Sequence, residues 1–319
     1  MIRSFARDVA VAAFVTFVVV AIVSLAPPPA ANRLDGEAHD FAHVLVFGVL
    51  GLFVARTLRR LPGAASDRTR VVVYTMTLGL AFGVLTELAQ QYLGGRLSRG
   101  DVARDVLGTA IGVCLAFALE RGTPSRLRAP LWGVAALGLF ASAMPLAGTA
   151  LDYRARAALF PVLLDPGAAR GLAFVPDGQG VTGVVPLPAA LAGAGPAPPA
   201  VHARIDEGPW PGVTLAEPMP DWRGFRRFVV ELANPGDRPL PLSVRVNDRV
   251  HDNRYEDRFN AYVELPPRSR RRIAYPIADI EAAPRGRRMN LAEIEKIVVF
   301  HAGPAPGRDF YLLKLELER

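Results

Sequence analysis

Cysteine and lysine are nearly absent from this chain of 319 residues. Its one cysteine, Cys114, lies in an apolar run, and a single cysteine excludes an internal disulfide and a thiolate metal site. Only Lys296 and Lys314 are lysines, so the net charge of +7 rests on arginine. The arginines cluster in short loops between apolar runs, where a membrane orientation signal belongs, and we therefore predict no nucleic-acid partner.

The sequence also lacks the short motifs of the common enzyme classes. It has no nucleophile elbow, phosphate-binding loop, dinucleotide fingerprint or metalloprotease helix. His202, His251 and His301 are too scattered for a zinc site of recognisable spacing. These absences favour a protein that is not an enzyme and needs no cofactor or metal, although they leave an enzyme as an alternative.

The first half of the chain consists mostly of long apolar runs. Five of them cover residues 9–26, 41–55, 71–92, 106–119 and 130–151. A helix needs about 20 residues to cross a hydrocarbon core, so the second and fourth runs must include their polar N-terminal flanks. We predict five transmembrane helices and interpret the first as an uncleaved signal anchor, the alternative being a cleaved signal peptide.

The arginine distribution predicts how these helices are oriented. Ten arginines fall on the side of the N-terminus and four on the opposite side. Positive residues accumulate in cytoplasmic loops, so we predict a cytoplasmic N-terminus and an inner-membrane protein. Five spans then place everything after residue 151 outside, in the periplasm or the extracellular space.

Polar side chains collect at the predicted outer ends of the middle spans: His43, Glu87, Gln90, Arg96, Asp101 and Asp105. The spacing puts Asp101, Asp105, Gly108 and Gly112 on one helical face, and the two glycines would let another helix approach closely. In a structural interpretation, Glu87 pairs with Arg96 and the aspartates cap the N-terminus of the fourth helix. A functional interpretation is an outward pocket that binds a phosphate or a sugar, or moves a proton.

The order of these residues resembles the VanZ-like family, which is associated with resistance to the glycopeptide teicoplanin. The resemblance covers residues 35–120 and includes "HVLVFGVLG" from His43, Glu87-x-x-Gln90, Arg96 and Asp101-x-x-x-Asp105 leading into Gly108-x-x-x-Gly112. Asp105 stands where the family pattern has asparagine. The resemblance implies a role in the cell envelope and no particular reaction.

The second half has the pattern of an all-β protein. After a juxtamembrane helix and a Pro/Ala/Gly-rich linker (152–199), apolar residues alternate with polar ones in six segments of 200–319, separated by Pro, Gly, Asn and Asp. Such strands predict an antiparallel, jelly-roll-like β-sandwich outside the membrane, which could recruit a first strand from 172–186. We therefore expect a five-helix membrane domain (1–151) followed by this sandwich.

Residues 200–319 also resemble a carbohydrate-binding module with the galactose-binding-like sandwich. The resemblance rests on "WPGVTLAEPMPDW", "VRVNDRVHDNRYEDRFNAYVEL" and "APRGRRMNLAEIEKIVVF". Aromatic rings stack on sugars and polar groups bind their hydroxyls, which makes these residues the ligand-binding candidates: Trp210, Trp222, Arg254, Tyr255, Asp257, Arg258 and Phe259. A weaker expectation is a structural calcium ion, for which the oxygen ligands in this stretch would be Asp248, Asp252, Glu256 and Asp257.

Three functions are compatible with the sequence. The first is an envelope protein without enzymatic activity, in which the membrane domain anchors or assists and the sandwich binds a glycan; it would be an accessory in polysaccharide biology or glycopeptide tolerance. The second is a membrane enzyme that acts on a lipid-linked saccharide through His43, Glu87, Asp101 and Asp105. The third is a transporter of such a lipid, with Glu87 as proton carrier. The expected partners are membrane lipid and an envelope glycan or lipid-linked saccharide.

Overall fold

A computed structural model describes residues 32–61, 67–92, 97–176, 180–205 and 208–319. The predicted first span, 9–26, lies outside these residues, as does Arg96. Contacts between residues divide the chain into two compact units, Met1–Ala150 and Leu151–Arg319. The first is helical and the second is mainly β-sheet.

The helical unit contains long helices, some of which begin at a capping side chain. They are α1 (Arg33–Leu58), α2 (Arg68–Tyr92), α3 (Arg99–Ala118) and α4 (Ser125–Leu159), the last of which continues into the second unit. The Asn32 side chain accepts a hydrogen bond from the Asp35 backbone at 2.9 Å, and Ser98 accepts one from Asp101 at 3.1 Å. Both are ordinary N-cap interactions.

Three of these helices, α1, α2 and α4, are long and apolar enough to cross a membrane. The structure therefore does not support the predicted number of five transmembrane helices. The predicted fourth span forms the helix α3, but Arg99, Asp101, Arg104 and Asp105 fill its first two turns. In α4 the apolar side chains Val134, Leu137 and Phe140 are exposed, as expected of a surface that contacts lipid rather than water.

Helices α1 and α3 approach each other closely through glycines. A Cβ atom added to Gly108 would lie 2.4 Å from the Val44 carbonyl oxygen, and one added to Gly112 would lie 2.1 Å from that of Gly48. Both distances are far below contact, so no larger residue fits without moving a backbone. The sequence prediction that Gly108 and Gly112 admit a neighbouring helix is confirmed, and that helix is α1.

The second unit is built from two antiparallel sheets. Its strands are β1 (Val162–Leu164), β2 (Val181–Pro186), β3 (Pro199–Arg204), β4 (Gly212–Ala216), β5 (Arg227–Asn234), β6 (Leu240–Asp248), β7 (Phe259–Leu265), β8 (Ser269–Pro276), β9 (Ile294–Phe300) and β10 (Asp309–Glu318). One sheet has the order β2-β3-β10-β5-β8, with β1 also pairing with β10, and the other has the order β4-β9-β6-β7. Two short helices complete it, α5 (Ala189–Ala192) and α6 (Ile277–Ala282).

The two sheets enclose one apolar core, which makes the unit a β-sandwich as predicted. Alternate residues of the strands point inward, among them Val230 and Leu232 of β5, Val244 of β6 and Leu312 of β10, all fully buried. The largest buried side chain is Trp222, which packs against Phe228 with ring centroids 5.1 Å apart. On the opposite face of the larger sheet, Ala200, Ala233, Tyr311 and Leu313 form a second, smaller apolar cluster with Leu187 and Leu191 of the 187–198 connection.

The segment interpreted as an interdomain linker belongs to the sandwich. Strands β2 and β3 pair in antiparallel register from Val181 with Ala203 to Pro186 with Pro199, so residues 187–198 connect two neighbouring strands of one sheet. Strand β1 pairs with β10, so the sheet begins well before residue 200. The first strand expected from 172–186 is β2.

Candidate functional sites

The polar residues of the helical unit form a buried hydrogen-bonded chain. The His43 ring lies 2.8 Å from an Asp105 carboxylate oxygen through Nδ1, and 3.1 Å from His39 through Nε2. The side chains of His43 and Asp105 have no exposed surface. This buried pair joins α1 to α3. Each side chain needs the other, because a buried polar or charged group without a partner is strongly destabilising.

Two carboxylate oxygens beside this chain are buried without a hydrogen-bond partner in the described part of the protein. They are Oδ2 of Asp105 and Oε1 of Glu87; the other oxygen of Glu87 accepts a bond from the Ser98 backbone at 2.6 Å. Glu87, Asp101, Asp105 and His43 lie within electrostatic range of one another. Unpaired buried carboxylate oxygens can hold a proton or accept a donor from a ligand.

The remaining predicted members of this cluster have other neighbours. Asp101 accepts a hydrogen bond from Arg104 at 2.8 Å, and Arg104 also pairs with Asp40 of α1. The cation beside the aspartates is therefore Arg104, which the sequence analysis did not single out. Gln90 lies at the end of α2, and the predicted Glu87–Arg96 pair stays a prediction because Arg96 is not among the described residues.

Two of the aromatic residues predicted to bind a ligand are core residues. Trp222 is wholly buried and its indole N–H donates to the Met219 carbonyl at 2.8 Å. Phe259 is 8% exposed and packs against Tyr275. Neither ring has a face available to a sugar, because each serves the sandwich core.

The predicted candidate Asp257 is bound to an arginine. Arg287 contacts Asp257 at 2.5 Å and holds the fully buried Asp248 through two nitrogens at 2.6 and 2.8 Å. This bonding to Arg287 keeps the pKa of Asp257 well below its usual range. A lowered pKa stabilises the fold above the ordinary value of about 3.9, and that contribution is lost as the pH falls toward the folded pKa.

The carboxylates suggested for calcium have different neighbours, and the calcium ion stays a prediction. Asp248 and Asp257 bind the guanidinium of Arg287, so an intramolecular cation already lies between them. Asp252 is grouped instead with His251 and Asp257, whose ligand atoms lie within 4.8 Å of one another. The Arg254 side chain is exposed and pairs with Asp252 at 3.4 Å, while its carbonyl oxygen accepts a hydrogen bond from the Asp257 backbone.

An open cleft of about 380 Å³ lies on the outer face of the four-stranded sheet. Trp210, 59% exposed, stands at its edge with its ring 5.7 Å from that of Phe300 in a T-shaped contact. The other lining residues are Thr214, Arg245, Arg258, Lys296 and Val298. Tyr255, also predicted, is exposed beside this cleft with the Arg258 guanidinium 5.3 Å from its ring.

Strand pairing explains why these residues meet. Thr214 of β4 is opposite Val298 of β9, which is opposite Arg245 of β6, which is opposite Asn260 of β7. Paired residues project to the same face of a sheet. The sequence analysis named Trp210, Tyr255 and Arg258 but missed Thr214, Arg245, Lys296 and Phe300. Period-two alternation within β6 and β9 was the available signal, but strand order cannot be read from it.

A second cleft of about 300 Å³ lies in the same unit, between the loops around Asn234–Arg238 and Pro306–Asp309. Its lining contains no aromatic side chain. Aromatic surface is what distinguishes the first cleft as a candidate for a ligand with apolar faces.

Comparisons with known proteins give distant structural likenesses only. The chain matches no family model and no curated protein. An exo-β-agarase structure is similar with a TM-score of 0.39 and 10% identity, over 49% of this chain and 24% of that chain. A family 11 carbohydrate-binding module from Clostridium thermocellum, in complex with a β-1,3-1,4-mixed-linked tetrasaccharide, has a TM-score of 0.33 and 13% identity, over 45% of this chain and 86% of that chain.

These TM-scores are too low to carry a ligand or an activity over to this chain, and the chain spans only about a quarter of the agarase. The fold itself defines the class: an apolar helical unit followed by an antiparallel β-sandwich with an open cleft lined by aromatic and cationic side chains.

Proposed function

We propose that this is a membrane-anchored glycan-binding protein of the cell envelope, with the sandwich outside the membrane. The observation that carries the proposal is the cleft at Trp210. An exposed indole held in place by Phe300 offers a flat apolar surface, and Arg245, Arg258 and Thr214 supply polar groups around it. Sugars require this combination, because they present apolar ring faces and hydroxyl edges together.

The helical unit supports the membrane part of the proposal. Helices α1, α2 and α4 are apolar enough to span a bilayer, and α3 together with the run at 9–26 would complete five spans. The arginine distribution then puts the N-terminus in the cytoplasm and the sandwich outside. The resemblance of His43, Glu87 and Gln90 to the VanZ-like pattern, from which Asp105 departs, supports an accessory role in surface polysaccharide biology or glycopeptide tolerance.

The proposal is tested by glycan binding to the full-length protein in nanodiscs. Cell-wall and capsular glycans are titrated by calorimetry against the wild type, Trp210→Ala and the control Trp132→Ala, which removes a tryptophan from α4. We expect saturable binding that is weakened about tenfold or more by Trp210→Ala, as for central aromatic residues of other binding sites, and is unchanged in Trp132→Ala. Equal binding by all three proteins would overturn the assignment of the cleft.

A membrane enzyme acting on a lipid-linked saccharide is the second candidate. The buried His43–Asp105 pair and the unpaired oxygens of Asp105 and Glu87 favour it, because acid–base catalysis needs such groups at a shielded position. Proton-coupled transport of such a lipid through Glu87 rests on the same oxygens. Asp105→Asn and Glu87→Gln should abolish either activity without affecting glycan binding to the sandwich, whereas Trp210→Ala should do the reverse.

A further inference from the structure

The cleft of the sandwich contains three cationic side chains with no anionic partner. Arg245, Arg258 and Lys296 line it, and no aspartate or glutamate does. Among the described residues, none of the three forms an ion pair within 4.0 Å. The arginines of the other sheet differ: Arg270 pairs with Glu231 at 2.7 Å, and Arg272 pairs with Glu316 at 3.0 Å.

The two arginines are held in position by neutral amides. Arg245 donates through Nε to the Asn247 side-chain oxygen at 3.1 Å, and Arg258 donates to that of Asn260 at 2.9 Å. Each guanidinium is thereby oriented through its Nε, which leaves its terminal nitrogens for another acceptor. A bidentate acceptor such as a carboxylate or a phosphate matches this geometry.

The arginines also repel each other. Register places Arg245 opposite Asn260, two residues from Arg258, so the two guanidiniums are diagonal neighbours on the same face. Burial, and then repulsion by Arg258, lowers the pKa of Arg245, while Glu295 offsets part of this effect. Burial likewise lowers the pKa of Arg258, which Tyr255 and Glu256 partly offset. The negative charge of a bound anion would compensate the cost of burying the two guanidiniums and offset the repulsion between them.

We propose that the ligand of this cleft is an acidic glycan, whose carboxylate or phosphate group binds between Arg245 and Arg258 while a sugar ring lies against Trp210. The inference rests on the proposed glycan-binding function and narrows its ligand class. Lys296, on the neighbouring strand β9, adds a third positive charge to the same face.

The test compares matched polymers on the full-length protein in nanodiscs of phosphatidylcholine, a lipid without net charge. Polygalacturonate supplies carboxylates, its methyl ester has the same sugar chain without the charges, and a phosphomannan supplies phosphates on sugar rings. Each is titrated against the wild type, the double variant Arg245→Gln/Arg258→Gln, Trp210→Ala and Arg271→Gln. Arg271 is an exposed arginine of β8 in the other sheet, so its variant controls for loss of charge alone.

We expect at least one acidic polymer to bind, with the double variant weakening it about tenfold or more and Arg271→Gln leaving it unchanged. If polygalacturonate is the ligand, its methyl ester should bind about tenfold more weakly. The double variant should keep the melting temperature of the wild type, because neither arginine forms an ion pair within 4.0 Å among the described residues and their mutual repulsion is removed. The two polymers distinguish a uronic acid from a phosphate ligand.

Four results would overturn the inference, and the last two would also overturn the proposed function. Equal binding of acid and ester, lost in Trp210→Ala but not in the double variant, would leave a neutral glycan and keep the proposed function. Loss in Arg271→Gln as large as in the double variant would indicate attraction to the overall positive charge. Binding of acidic polymers that is unchanged in Trp210→Ala would contradict the proposed glycan-binding function itself. So would the absence of any saccharide binding.

Discussion

At the scale of single residues, Arg287 joins two segments of the sandwich by binding the carboxylates of Asp248 and Asp257. Its guanidinium lies between the carboxylate of Asp248, which is fully buried, and that of Asp257. The Asn290 backbone adds a third donor to Asp248 at 2.7 Å. A buried carboxylate that loses its cation pays the full cost of desolvation.

Replacement of Arg287 by methionine should therefore destabilise the sandwich by about 3–5 kcal/mol. Methionine keeps part of the apolar stem but removes the charge from between two carboxylates. The unfolding free energy of the full-length protein in detergent, from denaturant titration followed by tryptophan fluorescence, is the measurement. Arg287→Lys keeps one charge without the bidentate geometry and should fall between the wild type and Arg287→Met.

Arg288→Met provides the matched control for this prediction. Arg288 is adjacent in sequence, its side chain is 73% exposed and it pairs with Glu281 at the surface. Such a pair contributes about 0–1 kcal/mol. If Arg287→Met costs no more than Arg288→Met, Asp248 has another way to satisfy its charge and the central role of Arg287 is wrong.

The sequence identified polar and aromatic candidates, but their surroundings depend on contacts that it does not contain. Trp210 and Trp222 both follow proline-rich turns, yet one lines a cleft and the other is in the core, next to Phe228. Asp257 is bound by Arg287, 30 residues away along the chain. The pairing of His43 with Asp105, across 62 residues, likewise depends on how α1 packs on α3.

At the scale of elements, hydrophobic periodicity predicted the long strands well. Strands β5, β6, β7, β8, β9 and β10 all coincide with alternating segments of the sequence. Strands β1 and β4 are 3 and 5 residues long, too short to show a period. Strand β1 is held by its pairing with β10 and by burial of Leu163 and Leu164 in the core. The glycine spacing in α3 predicted close helix packing, because small residues four apart on one face let the backbone of another helix approach.

The substitution Gly112→Ala tests this packing at a single atom. The new Cβ would lie 2.1 Å from the Gly48 carbonyl and 2.5 Å from the Leu52 nitrogen, both backbone atoms that cannot move alone. We expect a loss of about 1–3 kcal/mol, the usual cost of overpacking. It is measured as a lower temperature of aggregation for the full-length protein in detergent.

Gly133→Ala in α4 is the control for Gly112→Ala, since a Cβ there meets nothing within 4 Å. Alanine favours helix over glycine by up to about 1 kcal/mol, so this variant should be unchanged or slightly more stable. Equal aggregation temperatures of the two variants would mean that the close contact at Gly112 contributes little to the packing of α1 on α3. The buried His43–Asp105 pair would then have to hold the two helices together.

At the scale of the whole molecule, the proposed function depends on which side of the membrane the sandwich occupies. Envelope glycans lie outside the cytoplasm, so a sandwich on the cytoplasmic side could not reach them whatever its cleft binds. The parity of the spans decides this: with a cytoplasmic N-terminus, an odd number puts Leu151–Arg319 outside and an even number puts it inside. Helix α3 and the run at 9–26 are the two segments on which the parity depends.

Labelling of introduced cysteines measures which side of the membrane the sandwich occupies. With Cys114 replaced by serine, Val250→Cys puts a thiol on an exposed position of the sandwich (61% exposed) and Arg126→Cys puts one in the predicted inner loop before α4. We expect a membrane-impermeant maleimide to label Val250→Cys in intact spheroplasts, and Arg126→Cys only after permeabilisation, because arginine-rich loops remain in the cytoplasm. The reverse pattern would place the sandwich in the cytoplasm and exclude an envelope glycan as its ligand. It would arise if one of α3 and the run at 9–26 does not cross the membrane, or if the N-terminus lies outside.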